Sequence, residues 1–198
     1  MTNEERKCAI IDLDSLPEKW PTNRHAPEFW EELGRTIATF GFLEEVLGKA
    51  IFAHTATRRY QTEAEARAAF EKWLPTLENA LKEPLNNLVD ALAKAVRENT
   101  ENTTTNFDEL AEDLKKASKI RNVICHGSWR SPDGQGFSLP LFVNKQKESF
   151  ETPIDVAFLR QVQRHVAELA CSVINTVTHM GFQFPGGIGP GEPIFPRK

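Results

Sequence analysis

Four stretches of this chain carry apolar residues at three- and four-residue spacing, and a stripe of that period is buried by laying one helix against another. The first runs Leu33, Ile37, Phe40, Leu47 and Ile51, widened by Leu43 and Phe52. The second runs Phe70, Trp73, Leu74, Leu77 and Leu81, then Leu85, Leu88, Leu92 and Val96. Pro75 and Pro84 each remove an amide donor within it, which predicts a kink or break, placed near Pro84. The third runs Phe107, Leu110, Leu114 and Ala117, and the last Leu159, Val162, Val166, Leu169, Val173 and Met180. The expected fold class is therefore all-α in the main: an antiparallel helical bundle of four to five helices.

The helix ends carry signals of their own. Pro27, followed by Glu28, Glu31 and Glu32, presets φ and sets negative charge against the positive end of the helix dipole. Asn106 with Glu109 reads as a capping box for the third stripe. Thr152, Pro153 and Asp155 read as cap, first-turn proline and third-position carboxylate of the last helix.

Three stretches fall outside the stripes. Residues 1–26 read as an irregular arm, with Cys8-Ala9-Ile10-Ile11 as a short edge strand or extended piece and Trp20 as its anchor on the body. Between the third and fourth stripes the period changes. Phe137 to Val143 is rich in strand formers and is flanked by Asp133-Gly134-Gln135-Gly136 and Lys145-Gln146-Lys147. A small β-hairpin is expected there, at about residues 128–152. The Gly/Pro-rich tail, residues 183–198, is expected to be disordered or to lie along a partner.

Composition bounds the chemistry. The 24 Lys and Arg against 28 Asp and Glu give a net charge of −4, which argues against general nucleic-acid coating but not against a local basic site. Three cysteines (Cys8, Cys125, Cys171) without metal-type spacing fit reduced thiols. No charged-then-apolar leader and no apolar run near the roughly 20 residues of a membrane span are read, so a cytoplasmic chain without a membrane partner is expected. His165 and His179, on the last stripe, would lie about 21 Å apart along a helix axis, too far to share a metal. Glycine-rich nucleotide-binding motifs are absent, so neither a metal nor another cofactor is expected.

One constellation carries chemistry. Counting on from Ala117, the third stripe lands on Arg121 and then Ile124, so a guanidinium occupies a core position and needs partners. Asn122 and His126 share one side of the same helix, and Gly127 reads as the usual glycine stop. Glu44 falls on the first stripe. Either it sits at the margin while Leu43 takes the core, or it faces Arg121, because two stranded opposite charges are best placed together. Cys125, next to His126, points about 100° away on a helix and reads as a core thiol.

The sequence Arg121-Asn122-x-x-x-His126-Gly127 resembles the signature of the HEPN superfamily (higher eukaryotes and prokaryotes nucleotide-binding domain), over about Pro27 to Phe182. The resemblance implies an up-and-down helical bundle over residues 27–182, with the hairpin as an ornament. It also implies a metal-independent endoribonuclease, commonly a homodimer with two motifs lining one cleft, in stress, toxin–antitoxin or antiphage settings. An antitoxin or other protein partner would fit such a setting. Cutting RNA in this way needs a base near neutrality and donors for the phosphorane oxygens, which suits His126 and Arg121, with Asn122 orienting either. On an ideal helix Arg121 and His126 lie roughly 140° apart, so a distorted last turn or a second subunit is expected to bring them together. Lys115, Lys116, Lys119 and Arg130 can hold RNA phosphates, or simply form a solvated face. Trp129 can stack on a base, or pack on the hairpin. The other functional reading is a non-catalytic module that binds a nucleotide or protein partner, with the motif as a buried polar knot.

Overall fold

Pro27 does start the first helix. In the computed structural model, which describes residues 10–58, 60–69, 71, 84–100 and 106–194, helix α1 spans Pro27–Ala56, with Glu28 in its first turn. Helix α2 spans Leu85–Glu98, α3 Phe107–His126 and α4 Val156–Thr178. Residues 63–69 are also helical, and Leu13–Ser15 form one 3-10 turn. The break near Pro84 is present: its extended backbone (φ −55°, ψ 141°) immediately precedes α2. Phe70, the stripe from Trp73 to Leu81, Cys8 and Ala9, and most of the polar loop before Asn106 lie outside the described residues. Ile10 and Ile11, the rest of the expected edge strand or extended piece, are exposed and form no strand.

The stripes meet in one core. Phe40, Leu43, Leu47, Val89, Leu92, Leu114, Leu159 and Val173 are almost wholly buried. Ile37, which was expected on the α1 stripe, is 42% exposed. Thr36 is buried there instead, and its hydroxyl donates to the Glu32 carbonyl at 2.7 Å. Glu32 also turns inward. Arg160 Nε donates to its Oε1 at 2.9 Å and Gln163 Nε2 to its Oε2 at 2.9 Å. These hydrogen bonds, that of Gln163 first, hold the Glu32 carboxyl below its ordinary value against the opposing effect of burial.

Pairings along the helices fix their directions. Glu32 meets Arg160 and His54 meets Thr176, so α4 runs parallel to α1. Asp90 meets Lys115 and Arg97 meets Asp108, so α3 runs antiparallel to α2. Glu44 meets Arg121 and Phe29 meets Trp129, so α3 also opposes α1. The bundle is thus antiparallel only in part. The largest helix–helix interface, α1 with α4, is parallel, because the residues between α3 and α4 bring the chain back to the end where α1 begins.

That return segment contains no continuous hairpin. Its pairing is confined to isolated antiparallel bridges, Ser128 with Leu141, Ser138 with Ile154 and Val143 with Ser149. Two helix starts also differ from expectation. Asn106 adopts a left-handed conformation (φ 60°, ψ 22°) and makes no side-chain cap. Asp155 is itself the cap of α4, accepting from the Phe158 amide at 2.7 Å, so the helix begins after the Thr152-Pro153 signal. The tail folds back on its own chain as far as Ile194. Gln183 and Glu192 share a 2.9 Å backbone bond, and Ile194 packs on the core.

At the far end of α1, His54 is fully buried. Thr176 spends its single hydroxyl proton on the Val173 carbonyl (2.7 Å), so the 3.0 Å contact to His54 Nε2 requires the imidazole to donate. Nδ1 is then left as a bare lone pair without a partner. A second proton would place an unpaired N–H in the core, and burial pushes this histidine down to about 4. An unfolded chain binds that proton near pH 6.5 whereas the folded chain refuses it until about 4, so stability is complete above about 6.5 and falls as pH drops toward 4. The expected loss is about 3 kcal/mol. Thermal melts between pH 7.5 and 4.5 should show this slope in the wild type and a clearly flatter one in His54→Leu. Parallel slopes would contradict it.

Candidate active site

Leu114, Ala117 and Ser118 are buried on α3, and Arg121 continues their face, while Val123 and Ile124 carry the core past it. The guanidinium is therefore caught between core and solvent. The Arg121 side chain is 23% exposed and that of Glu44 20%. Arg121 Nε lies 3.2 Å from Glu44 Oε1, yet that oxygen, itself buried, receives no directed hydrogen bond. The attraction is thus ionic without good donor alignment. Both sequence readings of Glu44 hold in part: Leu43 takes the core position and Glu44, at its margin, faces Arg121.

Arg121 Nη1 also reaches 3.5 Å from Asn122 Oδ1 and 3.4 Å from His126 Nε2. The helical separation expected to hold Arg121 and His126 apart is spanned within one chain by the length of the arginine side chain. A guanidinium only donates, so this contact uses the Nε2 lone pair and leaves the imidazole proton on Nδ1. His126 is otherwise exposed at the last residue of α3. Cys125 is half-buried, and burial, with a smaller contribution from Glu44, pushes its thiol up against the opposing pull of Arg121. It stays protonated at neutral pH, which is unsuitable for a nucleophile.

Gly127 follows for a reason the glycine signal did not give. Its backbone is extended (φ −69°, ψ 139°) rather than left-handed, so any residue could adopt it. Space is what requires glycine: an added Cβ would sit 2.6 Å from the Val123 carbonyl oxygen and 3.0 Å from Pro140 Cβ. Pro140 belongs to the return segment, which here presses against the residue after His126. Gly127→Ala should therefore cost about 1–3 kcal/mol and move the His126 backbone, read as a lower melting temperature and shifted amide resonances around His126. An unchanged melt would show that the contact yields freely.

The flanking residues divide. Lys115 is engaged with Asp90 on α2 at 2.8 Å, whereas Arg121 faces Glu44 on α1, so Lys115 does not join the site. Lys116 pairs with Asp113 at 2.8 Å. Lys119 and Arg130 are exposed. Trp129 packs edge-to-face on Phe29, with ring centroids 5.1 Å apart. Arg24 donates to Ser131 at 3.1 Å and so brings the arm beside this end of α3; no spacing in the sequence signals that approach.

The arm is not anchored by Trp20, which is exposed. Trp30 Nε1 donating to the Thr22 carbonyl (2.9 Å) and the stack of His25 on Phe29 hold it instead. Among the described residues, no group of three or more His, Cys, Asp or Glu side chains is placed to hold a metal ion, and no helix is long and apolar enough to cross a membrane. No protein-family model, curated protein or solved structure matches this chain.

Proposed function

We propose that this chain is a metal-independent endoribonuclease whose working groups are Arg121, Asn122 and His126. The observation that carries the reading is the 3.4 Å approach of Arg121 Nη1 to His126 Nε2 at an exposed helix end, with Glu44 steadying the guanidinium from α1. As the guanidinium turns from His126 to the phosphate, the freed Nε2 lone pair accepts the proton of a ribose 2′-hydroxyl, and the 2′-oxygen attacks the adjacent phosphorus. Arg121 neutralises the charge that builds on the phosphorane oxygens. The bond to the 5′-oxygen breaks, that oxygen takes up a proton, and a 2′,3′-cyclic phosphate remains. One histidine serves as the base, so a homodimer that brings a second His126 to the leaving oxygen belongs to the same reading. So does an intracellular stress or defence setting with a neutralising protein partner.

The test is direct. Purified protein with a metal chelator present should cut single-stranded RNA but not DNA, which lacks the nucleophile, and should leave 2′,3′-cyclic ends. A second reading has an observation of its own: Arg121 is also held by Glu44 and approaches Asn122, as in a polar knot that fixes helix register within a non-catalytic binding module. An inert wild-type protein would favour that one.

A further inference from the structure

Between the arm and the start of the return segment lies a cleft of about 320 Å³. Pro17, Trp20, Pro21, Asn23 and Arg24 line it from the arm, Trp129 and Ser131 from the other side, with His25 between. Small-molecule sites run from about 300 to 1,000 Å³, so the cleft suits one planar ring system and its sugar better than a folded partner.

Its chemistry is selective. Two indoles and two proline rings offer flat apolar faces, and Trp129 is fixed in place by its edge-to-face contact with Phe29. Arg24 is the single charged residue of the lining, and no carboxylate opposes it. His25 is nine-tenths buried, stacked on Phe29 (4.4 Å, 24°) and edge-on to Trp30 (5.0 Å). Its Nε2 is buried without a partner, which leaves Nδ1 as the ring nitrogen with access to a ligand. Burial lowers the affinity of this imidazole for a second proton, so it faces a ligand as a neutral, hydrogen-bonding ring. A slot with flat rings, an unopposed arginine and hydrogen-bonding groups from Asn23, His25 and Ser131 matches a nucleobase carrying a phosphate. Peptide grooves built on proline and aromatic rings share the flat faces but give no reason for an unopposed arginine.

Position adds the second argument. Trp129 stands three residues beyond His126, at most about 10 Å of extended backbone. Phe29, which holds Trp129, and Glu44, which holds Arg121, stand fifteen residues apart on α1, roughly 22 Å along its axis, so a base at the cleft and a phosphate at Arg121 can belong to one extended strand a few nucleotides apart.

We infer that this cleft is a base-binding subsite, in which a nucleobase of single-stranded RNA stacks between Trp20 and Trp129 while Arg24 holds its phosphate. The inference rests on the ribonuclease reading for its substrate class, and the experiment separates the two. Fluorescence anisotropy is measured with labelled, fully 2′-O-methylated hexanucleotides, whose blocked 2′-oxygen prevents cutting, and the cut-site base preference is read on unmodified RNA. Trp20→Ala changes an exposed side chain. It should weaken binding roughly 5- to 100-fold and flatten the base preference. Trp20→Phe should restore most of the binding, and Arg24→Gln should weaken it and reduce its salt dependence. Wild-type protein that cuts RNA while Trp20→Ala changes neither affinity nor base preference overturns the subsite and leaves the nuclease intact. Protein that never cuts, yet loses oligonucleotide binding on Trp20→Ala, keeps the subsite and overturns the nuclease. Absence of oligonucleotide binding, or tighter binding of a proline-rich peptide than of RNA, overturns the subsite.

Discussion

His126→Ala is expected to lower the proposed RNA cutting by about 10²- to 10⁴-fold, or to background, and to leave the melting temperature in place. Both halves follow from where the imidazole sits. A positioned general base contributes on that scale, and the neighbouring Cys125 thiol, pushed up by burial, stays protonated and does not take over the role. The side chain is exposed on the last residue of its helix, with the 3.4 Å approach of Arg121 as its hydrogen-bonding contact. Its removal therefore falls among surface substitutions, within about 0.5 kcal/mol of neutral. His126→Gln is the sharper control, since it keeps a polar side chain but cannot carry the proton. The measurement is a single-turnover assay with chelator present, run beside a thermal melt. Equal cutting by wild type and His126→Ala would remove the histidine from the mechanism. A large fall in melting temperature would move it from the chemistry to the fold.

The helices were legible because burial imposes a period, and the Leu114, Leu92, Leu159 and Leu43 positions obeyed it. The ends were less legible, because several residues can start a helix and only the local backbone chooses between them. Asp155 outcompeted the Thr152-Pro153 signal by capping the Phe158 amide, and Asn106 went left-handed instead of closing a capping box. The Arg121–Glu44 pair could be read because each charge broke the stripe of its own helix. The inward turn of Glu32 was not legible, because its place among the acidic residues that follow Pro27 already gave it a reason to be there. The reach of Arg121 to His126 was missed because angles around an axis describe Cβ directions and ignore a long, flexible side chain. Gly127 was recognised as a helix stop, yet its reason is the nearness of Pro140, a contact across the fold. The cleft beside Trp129 left no trace in the sequence. Arg24 and Ser131 stand 107 positions apart, and no periodicity links an irregular arm to a return segment.

Arg121→Ala carries the other large effect, and here stability and activity are expected to fall together. Removing the guanidinium strands the Glu44 carboxylate, whose Oε1 is already buried without a directed hydrogen bond. Breaking a fully buried pair costs about 3–5 kcal/mol. Arg121 and Glu44 keep some contact with water and lack ideal alignment, so about 1–3 kcal/mol is expected instead, a fall of roughly 2–12 °C in melting temperature for a chain of this size. Cutting should drop about 10²- to 10³-fold, the scale set by losing a donor to a developing oxyanion. The two losses separate in further variants. Arg121→Met combined with Glu44→Leu leaves no stranded charge and should recover most of the stability while remaining inactive. Arg121→Lys keeps the ion pair and most of the stability, yet lacks the fork that spans two phosphorane oxygens, so it should cut poorly. If Arg121→Ala melted like the wild type, Glu44 would not depend on the guanidinium. If the Met/Leu pair cut RNA at the wild-type rate, the arginine would be a fastener between α1 and α3, and the transition-state charge would have to be met by some other group.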